Sequence, residues 1–461
     1  MRADRYEDGI RRGGVGMLKK WLGMFLLLGI FLTAMPRGMA AAADEFEQAQ
    51  LDYMSALAAM ASYDDRLNLV VRSELEANGW TVRGFQLETD AADGRFFVVS
   101  HEGPGQPIYL LAVPGTEKKK DIQVDMRFSK VLFAGQDPAS FAEAVSQQQT
   151  TSRDPLVHKG FEQYTHTAFF TPGESGIVPG QRIQQELLAA PGKKLYITGH
   201  SLGGAVAVLL AARLTAMGVP AKQLQVVTFG APAVGNATFA RQYGDALTVE
   251  RIVMDRDPVN QLLQSISGGY AQFGKKVNWQ RRDKAEHFEH YMVVYLDAAL
   301  RNYYDVCWRL GKRREDAALL RGTPPCQTAV YVAPMNFSLD DEIRGDIPYM
   351  RAALQDMLAA RIQRVVFGSG SRTSLAAACA EAKKQGCSYV LLEDFNGVRL
   401  KKERWNFRLT MEEMLYDTEG RLLTMQTNSV DTSSMTPIEA MLYNQIRGRE
   451  SRETILMEKQ R

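Results

Sequence analysis

The feature that most constrains the fold is a short strand that leads through a glycine-flanked serine into an apolar helix. Residues 194–198 are rich in strand-forming side chains, and Gly199-His200-Ser201-Leu202-Gly203 follows at once. The next stretch, 205–217, is apolar on nearly every side and stops at Gly218 and Pro220. Such a helix must lie beneath other layers. This order predicts an α/β protein whose sheet is mainly parallel and covered on both faces.

The rest of the first 305 residues fits the same architecture. Leu224 to Phe229 and Arg251 to Met254 are two short β-rich runs, whereas 117–154 is polar and irregular. Hydrophobic periodicity predicts helices at 45–62 and 181–188, and strands at 95–100, 108–113, 224–229 and 251–254. Strands alternating with helices support the parallel sheet.

A second, smaller α/β domain is predicted at 328–455, after a linker at 306–327 that is rich in Arg, Lys, Gly and Pro. Asp394, Asn396 and Gly397 suggest a turn. The pattern predicts strands at 329–333, 364–367 and 388–393, helices at 348–361 and 375–384, and a hairpin of 405–416 with 421–427. No group of residues in this domain indicates chemistry, so its function stays open.

The first 42 residues have the organisation of a secretory signal peptide. Lys19 and Lys20 precede an apolar run at 21–35, and a small-residue stretch follows at 40–43. We expect Met17 to be the true start. The run is shorter than the ~20 residues that span a bilayer, although an uncleaved anchor helix is the alternative. The pattern predicts export to the periplasm, the cell envelope or the medium.

Composition excludes several other classes of protein. Hydrophobic residues make up 45% and charged residues 23% of the 461-residue chain, which is the balance of a globular protein rather than a disordered one. Lys and Arg number 55 against 53 Asp and Glu, so nothing in the net charge of +2 favours a nucleic-acid partner. The oligomeric state is not predicted.

The four cysteines lie in the last third of the chain, at Cys307, Cys326, Cys379 and Cys387. An even number in an exported protein favours disulfides, and proximity favours pairing Cys307 with Cys326 and Cys379 with Cys387. Free buried thiols are the alternative. Because no CxxC or His-rich pattern accompanies them, we expect no metal site and no cofactor.

Ser201 is the candidate nucleophile. A GxSxG that follows a strand and opens a helix places the serine on a sharp turn with its hydroxyl exposed. A tight turn without chemistry is the alternative. Serine needs a histidine as base and a carboxylate to orient that histidine, in the order Ser, Asp or Glu, His on α/β-hydrolase folds. Asp257, with Asp255 as competitor, and His287 or His290 follow in that order.

The motifs in this order resemble those of the class 3 lipases, fungal-lipase-like α/β hydrolases, over residues ~45–305. They are Val113 to Thr116 with Asp121, Val157-His158-Lys159-Gly160-Phe161, Gly199 to Ala205, Thr228 to Pro232 with Val234-Gly235-Asn236, Arg251 to Val259, and His290-Tyr291-Met292-Val293-Val294-Tyr295-Leu296.

The resemblance implies an α/β-hydrolase fold at 43–305 and selects Asp257 as the acid and His290 as the base. It also implies that Thr116 supplies one backbone donor of an oxyanion hole and that His158 supports structure. The other donor is expected at Leu202, directly after the nucleophile at a helix N-terminus. A lid is expected near 148–155 or in the stretch before it.

The sequence therefore predicts an exported serine lipase or esterase that hydrolyses acyl esters of lipids, acylglycerols or phospholipids, at a membrane or lipid surface. Alternatives are a short-chain carboxylesterase or another serine hydrolase on the same fold, and a non-catalytic protein that binds the cell envelope. Because residues 43–305 contain every candidate catalytic group, they are expected to act without the C-terminal domain.

Overall fold

The computed structural model describes residues 37–64, 66–101, 107–116, 129–173, 176–259, 269–320, 322–371, 373–401 and 404–458. Residues 1–36 of the predicted signal peptide and Asp121 of the family match lie outside them. Contacts divide the chain into a short unit at 1–48 and a compact unit at 49–461. Helix α1 (Arg37–Ala61) confirms the predicted opening helix and also takes in the small-residue stretch at 40–43.

The predicted sheet of the first half is confirmed, and it is larger than expected. Its strands are β1 (Trp80–Glu88), β2 (Asp93–His101), β3 (Ile108–Val113), β6 (Leu195–His200), β7 (Leu224–Phe229), β8 (Thr248–Met254) and β9 (Lys275–Trp279). Within the described residues these seven strands lie in the order β1-β2-β3-β6-β7-β8-β9. Strands β1, β2 and β3 are antiparallel neighbours. From β3 onward the neighbours in the sheet, β3, β6, β7, β8 and β9, run parallel.

The described part of the polar stretch, residues 129–154, is more regular than predicted. The short strands β4 (Lys130–Leu132) and β5 (Leu156–His158) pair with each other, and α3 (Pro138–Ser146) lies between them in the chain. Asp137 caps α3 by accepting hydrogen bonds from the backbone of Ala139 and Ser140. The other helices among the described residues of this half are α2 (Asn68–Ala77), α4 (Lys159–Thr165), α5 (Pro179–Ala189), α6 (Leu202–Ala216), α7 (Ala237–Gly244) and α8 (Met292–Leu310).

Helix α6 lies at the centre of the larger core. Nearly all its residues are buried, as the all-round apolar pattern predicted. Its one buried cation, Arg213, lies 2.6 Å from Glu162 of α4, and its guanidinium also stacks between the rings of Phe133 and Phe141. The helix that begins directly after Ser201 is thus anchored near its far end.

The C-terminal part forms a second sheet, as predicted. Its strands are β10 (Cys326–Val332), β11 (Asn336–Leu339), β12 (Ile362–Phe367), β13 (Tyr389–Lys401), β14 (Arg404–Asp417) and β15 (Leu422–Asp431). In the described part of the chain these six strands follow the order β12-β10-β13-β14-β15, with β11 beside β13. Its helices are α9 (Ile347–Arg361), α10 (Leu375–Lys384) and α11 (Pro437–Glu458), of which α11 had no counterpart in the prediction.

Two expectations for the C-terminal part are wrong. Asp394, Asn396 and Gly397 do not form a turn, because β13 continues through them and pairs with β11 on one side and β14 on the other. The four cysteines form no disulfides, and each is a free buried thiol. Cys379 and Cys387 belong to a small apolar core cluster, where burial raises the pKa of both thiols. They serve there as small apolar side chains.

The predicted linker carries specific contacts. Helix α8 occupies its first residues, and the indole of Trp80 donates a hydrogen bond to the carbonyl of Leu319 at 2.8 Å. Arg314 donates to the side chain of Asn78 at 2.6 Å. These contacts join the predicted linker to the first half of the chain, and the domain boundary at 306–327 stays a prediction. No helix of the described residues is long and apolar enough to cross a bilayer.

Candidate active site

Parallel strands bring the predicted site residues to one edge of the first sheet. Ser201 follows β6, Asp257 comes shortly after β8, and Thr116 comes shortly after β3. These three strands run in the same direction, so their carboxyl ends lie on the same side. This is where α/β sheets place their ligand sites. His290 reaches the same place from the loop before α8.

Ser201 sits on a strained turn. Its φ of 56° and ψ of −125° lie outside the conformations that L-residues prefer, and it is the one non-glycine residue with positive φ among those described. The turn is held because the Ser201 amide donates to the carbonyl of Phe229 at 2.9 Å. Strain of this kind is characteristic of functional sites and presents the hydroxyl away from the sheet.

Ser201, His290 and Asp257 form a continuous hydrogen-bonded chain. Nε2 of His290 lies 2.8 Å from Oγ of Ser201, and Nδ1 lies 2.8 Å from Oδ2 of Asp257. Because an ionised carboxylate only accepts, Nδ1 donates and Nε2 is left to accept the serine proton. The side chain of His290 is 13% exposed, whereas that of Asp257 is fully buried.

The competing residues lie elsewhere. Nε2 of His287 lies 3.0 Å from the carbonyl oxygen of Met435 and therefore donates to it. Asp255 is exposed, in contrast to buried Asp257. His158 is buried and accepts a hydrogen bond from the Phe161 amide at 3.2 Å as the cap of α4. Geometry thus separates the residues that spacing alone left open.

Tyr295 supports Asp257. In the sequence, Tyr295 was named only as part of the motif that begins at His290, and no role was assigned to it. Its hydroxyl donates to Oδ2 of Asp257 at 2.6 Å and accepts from the Met254 amide at 3.1 Å. Oδ1 accepts from the Val259 amide at 2.8 Å. Burial by itself raises the pKa of Asp257, but the hydrogen bond and charge of His290, together with those two donors, lower the pKa below its usual value. The carboxylate therefore stays ionised at neutral pH.

Gly230 leaves the space that this group needs. Its φ is +57°, and a Cβ built there would lie 2.6 Å from Oδ2 of Asp257, 2.8 Å from the Tyr295 hydroxyl and 3.1 Å from Nδ1 of His290. Only glycine combines that backbone conformation with so close an approach.

A second histidine holds the backbone of His290. Nε2 of His200 lies 2.6 Å from the carbonyl oxygen of His290 and donates to it, and Nδ1 lies 2.6 Å from the hydroxyl of Tyr63, which donates in turn. Burial, followed by the charge of His290, lowers the pKa of His200 to about 3. The ring is therefore neutral near pH 7, with its single proton on Nε2. Sequence spacing gave no signal for this pair, because Tyr63 precedes His200 by 137 residues.

The two predicted oxyanion donors lie at the ends of neighbouring elements. Leu202 is the first residue of α6, where backbone amides have no partner within the helix and the helix dipole favours negative charge. Thr116 follows the end of β3, which pairs with β6 up to Gly199. A Cβ on Gly203 would overlap the carbonyl of Val113, so the loop after β3 passes directly over the start of α6.

Comparisons with known proteins agree with this arrangement. Residues 110–265 match the family model described as Lipase (class 3). This confirms the resemblance to the class 3 lipases over that stretch. The stretch contains Ser201, Asp257 and Thr116, whereas His290 lies beyond it.

Curated relatives align with parts of the same region. A lipase of Caenorhabditis elegans is 46% identical over 70 residues, 15% of this chain and 20% of the relative. Secreted mono- and diacylglycerol lipase 1 of Fusarium solani is 41% identical over 81 residues, 17% of this chain and 23% of the relative. The chain thus spans about a fifth of the length of these relatives. A solved Rhizomucor miehei lipase is 20% identical, with a TM-score of 0.38, over 51% of this chain and 67% of that one.

Proposed function

We propose that the protein is an exported serine hydrolase that cleaves acyl ester bonds of lipids, either acylglycerols or phospholipids. The observation that carries the proposal is the hydrogen-bonded chain from Ser201 through His290 to Asp257, with Ser201 on a strained turn at the sheet edge. In that role Ser201 is the nucleophile, His290 the general base and Asp257 the carboxylate that orients it.

The geometry accounts for each proton. Nε2 of His290 removes the proton of Ser201 as Oγ attacks the ester carbonyl, and the negative charge develops on the carbonyl oxygen. The amides of Leu202 and Thr116 stabilise that oxygen. His290 then gives the proton to the departing alcohol, leaving an acyl group on Ser201. Water, activated by the same histidine, hydrolyses this acyl-enzyme and restores the serine.

Exposed apolar side chains beside His290 favour a lipid substrate. Phe288 is 47% exposed and Tyr291 is 55% exposed, and their rings meet edge to face at 5.7 Å. Acyl chains or a lipid surface would cover such groups favourably. The Fusarium relative is named a secreted lipase of mono- and diacylglycerols, which supports the same substrate class and export for this chain.

A serine-directed fluorophosphonate and a series of p-nitrophenyl esters test the proposal. The wild-type protein should be labelled at Ser201, and Ser201→Ala should abolish labelling and lower turnover by several orders of magnitude. His290→Ala should be nearly as damaging. His166→Ala changes a histidine outside this hydrogen-bonded chain and serves as the control.

Several outcomes would change the proposal. A folded wild-type protein that takes no label and hydrolyses no ester would favour the non-catalytic envelope-binding alternative. Turnover confined to acetate and butyrate esters would favour a short-chain carboxylesterase. Export is tested separately by mass spectrometry of the N-terminus after cell fractionation, because a cleaved signal should leave a mature chain that starts near residue 43.

A further inference from the structure

We propose that the C-terminal sheet positions the catalytic histidine, so that the active site depends on both halves of the compact unit. The proposal rests on the proposed function, in which His290 is the base. It concerns the histidine loop, defined as residues 280–291 between β9 and α8.

The histidine loop is organised internally around one arginine. Nε of Arg281 donates to Oδ2 of Asp283 at 2.8 Å, and Nη2 donates to Oδ1 at 3.1 Å. The same guanidinium donates to the carbonyl of His287 at 2.5 Å and to the carbonyl of Ala285. The buried carboxylate of Asp283 also accepts from the Ala285 amide at 3.0 Å. These hydrogen bonds therefore hold residues 281–287 together as one unit.

Three hydrogen bonds tie this loop to the C-terminal part, and one of them joins the side chain of Arg282 to the hydroxyl of Tyr349 in α9. The amide of Glu286 donates to the carbonyl of Trp405 in β14 at 3.0 Å. Nε2 of His287 donates to the carbonyl of Met435, just before α11, at 3.0 Å. Glu286 and His287 both lie within a few residues of His290.

Helix α8 is also hydrogen-bonded to the C-terminal part. Arg301 is buried and donates to Asp346, just before α9, at 2.8 Å, while Tyr304 donates to Asp356 of α9 at 3.0 Å. The backbone on both sides of His290 is thus held by residues beyond 325. From the other half, His200 holds the carbonyl of His290 itself. A base that must stay within hydrogen-bond distance of Ser201 needs such fixed support.

His287 offers the cleanest test in the full-length chain. His287→Leu removes the donor to Met435, whereas His287→Gln keeps an N–H donor on a side chain of similar reach. On a soluble short-chain ester, His287→Leu should lower kcat roughly five- to tenfold, leave KM within about twofold and slow labelling of Ser201 in proportion. His287→Gln should recover most of the rate.

Arg361→Ala is the matched control. Arg361 forms a bidentate ion pair with Glu453 of α11. Arg361→Ala should therefore weaken the C-terminal part without changing the contacts of the histidine loop. At a temperature where all variants are folded by near-ultraviolet circular dichroism, Arg361→Ala should keep the wild-type kcat. Equal loss in Arg361→Ala and His287→Leu would mean general destabilisation and would overturn the positioning role.

The remaining outcomes are also decisive. A folded His287→Leu protein with the wild-type kcat would refute the proposal while leaving the proposed function intact. A wild-type chain without any esterase activity would refute the proposed function instead. If His287→Leu gives no cooperative unfolding transition, Arg281→Lys replaces it: Lys keeps the charge but cannot hold Asp283 and two carbonyls together, so its kcat must fall in the same way.

Discussion

The hydroxyl of Tyr295 lies 2.6 Å from Oδ2 of Asp257, the same oxygen that accepts from His290. One buried carboxylate oxygen thus receives two donors from the same stretch of chain. Tyr295 also accepts from the Met254 amide, which links the end of β8 to α8. The position of Asp257 is therefore fixed by the helix that follows His290.

Tyr295→Phe should lower kcat roughly tenfold or more, since a hydrogen bond to a charged group contributes ~1.5–3 kcal/mol. Because that bond helps to lower the pKa of Asp257, its loss should move the acidic limb of the activity profile to higher pH. Rate against pH on a soluble ester checks this. Tyr243→Phe, at a buried tyrosine of α7, is the control, and identical profiles for all three proteins would contradict the role of Tyr295.

Tyr63→Phe should lower kcat about fivefold with little change in KM, because it removes a hydrogen bond of ~1 kcal/mol that keeps the proton of His200 on Nε2. Without Tyr63, the tautomer with its proton on Nδ1 becomes accessible and cannot donate to the carbonyl of His290. Steady-state kinetics check the effect. A larger fall in His200→Phe, which lacks the donor in any tautomer, is expected, and an unchanged kcat in both would refute it.

Gly230→Ala should abolish most activity and also reduce stability, because the new methyl group would displace Asp257 and Tyr295. The left-handed backbone itself costs an L-residue ~1–2 kcal/mol. Gly218→Ala separates the two effects, since Gly218 has φ +91° but an added Cβ meets nothing within 4 Å. Equally low activity in Gly230→Ala and Gly218→Ala would show that backbone strain, rather than contact with Asp257, causes the loss of activity.

Glu393→Gln should make stability less dependent on pH. Glu393 of β13 faces Glu413 of β14 across the sheet, and burial together with the charge of Glu413 raises the pKa of Glu393 to about 8. The folded state keeps this proton while the unfolded state releases it above pH ~4.5, so wild-type stability should fall as pH rises from 4.5 to 8.

Thermal unfolding at pH 5 and pH 8 measures that dependence. The gain in Tm of Glu393→Gln over wild type should be larger at pH 8 than at pH 5. Glu412→Gln changes an exposed neighbour in β14 and should show no such difference. A gain that is equal at both pH values would mean that Glu393 is not protonated in the fold.

A chain that ends at residue 305 should fold poorly. The truncation removes Asp346, so the buried positive charge of Arg301 loses an ion-pair partner. Breaking a buried ion pair typically lowers the free energy of unfolding by ~3–5 kcal/mol. The contacts thus argue against independent action by residues 43–305. The absence of a cooperative thermal transition would agree, and the chain 43–461 is the control. A truncated protein with full esterase activity would refute both this expectation and the positioning role of the C-terminal sheet.

Sequence reasoning succeeded where the signal is local. The strand, elbow and apolar helix around Ser201 were predictable because burial on all sides leaves a continuous apolar run. Strands β1 and β9 were missed because they lie at the sheet edges with mostly exposed side chains, which erases the apolar alternation. Helix α11 was missed for a related reason: its buried face includes Asn444, Gln445, Arg452 and Glu453, which an apolar periodicity does not register.

Sequence reasoning left the description of the site incomplete where the information is tertiary. Spacing alone did not decide between His287 and His290 as the candidate base, since both precede α8 by a few residues. The support from Tyr63, His200 and the C-terminal strands joins residues far apart in the chain, and no local pattern encodes it. Disulfides were expected from compartment and number, but the folded chain uses those cysteines as apolar core residues.

Two of the three hydrogen bonds between the C-terminal part and the histidine loop end on main-chain carbonyls, those of Trp405 and Met435. A carbonyl is present whatever side chain a residue carries. Related chains can therefore replace the amino acids at these two positions and keep the attachment, provided that the strand register is preserved. Insertions or deletions in the β13–β14 hairpin should disturb catalysis more than substitutions at either acceptor.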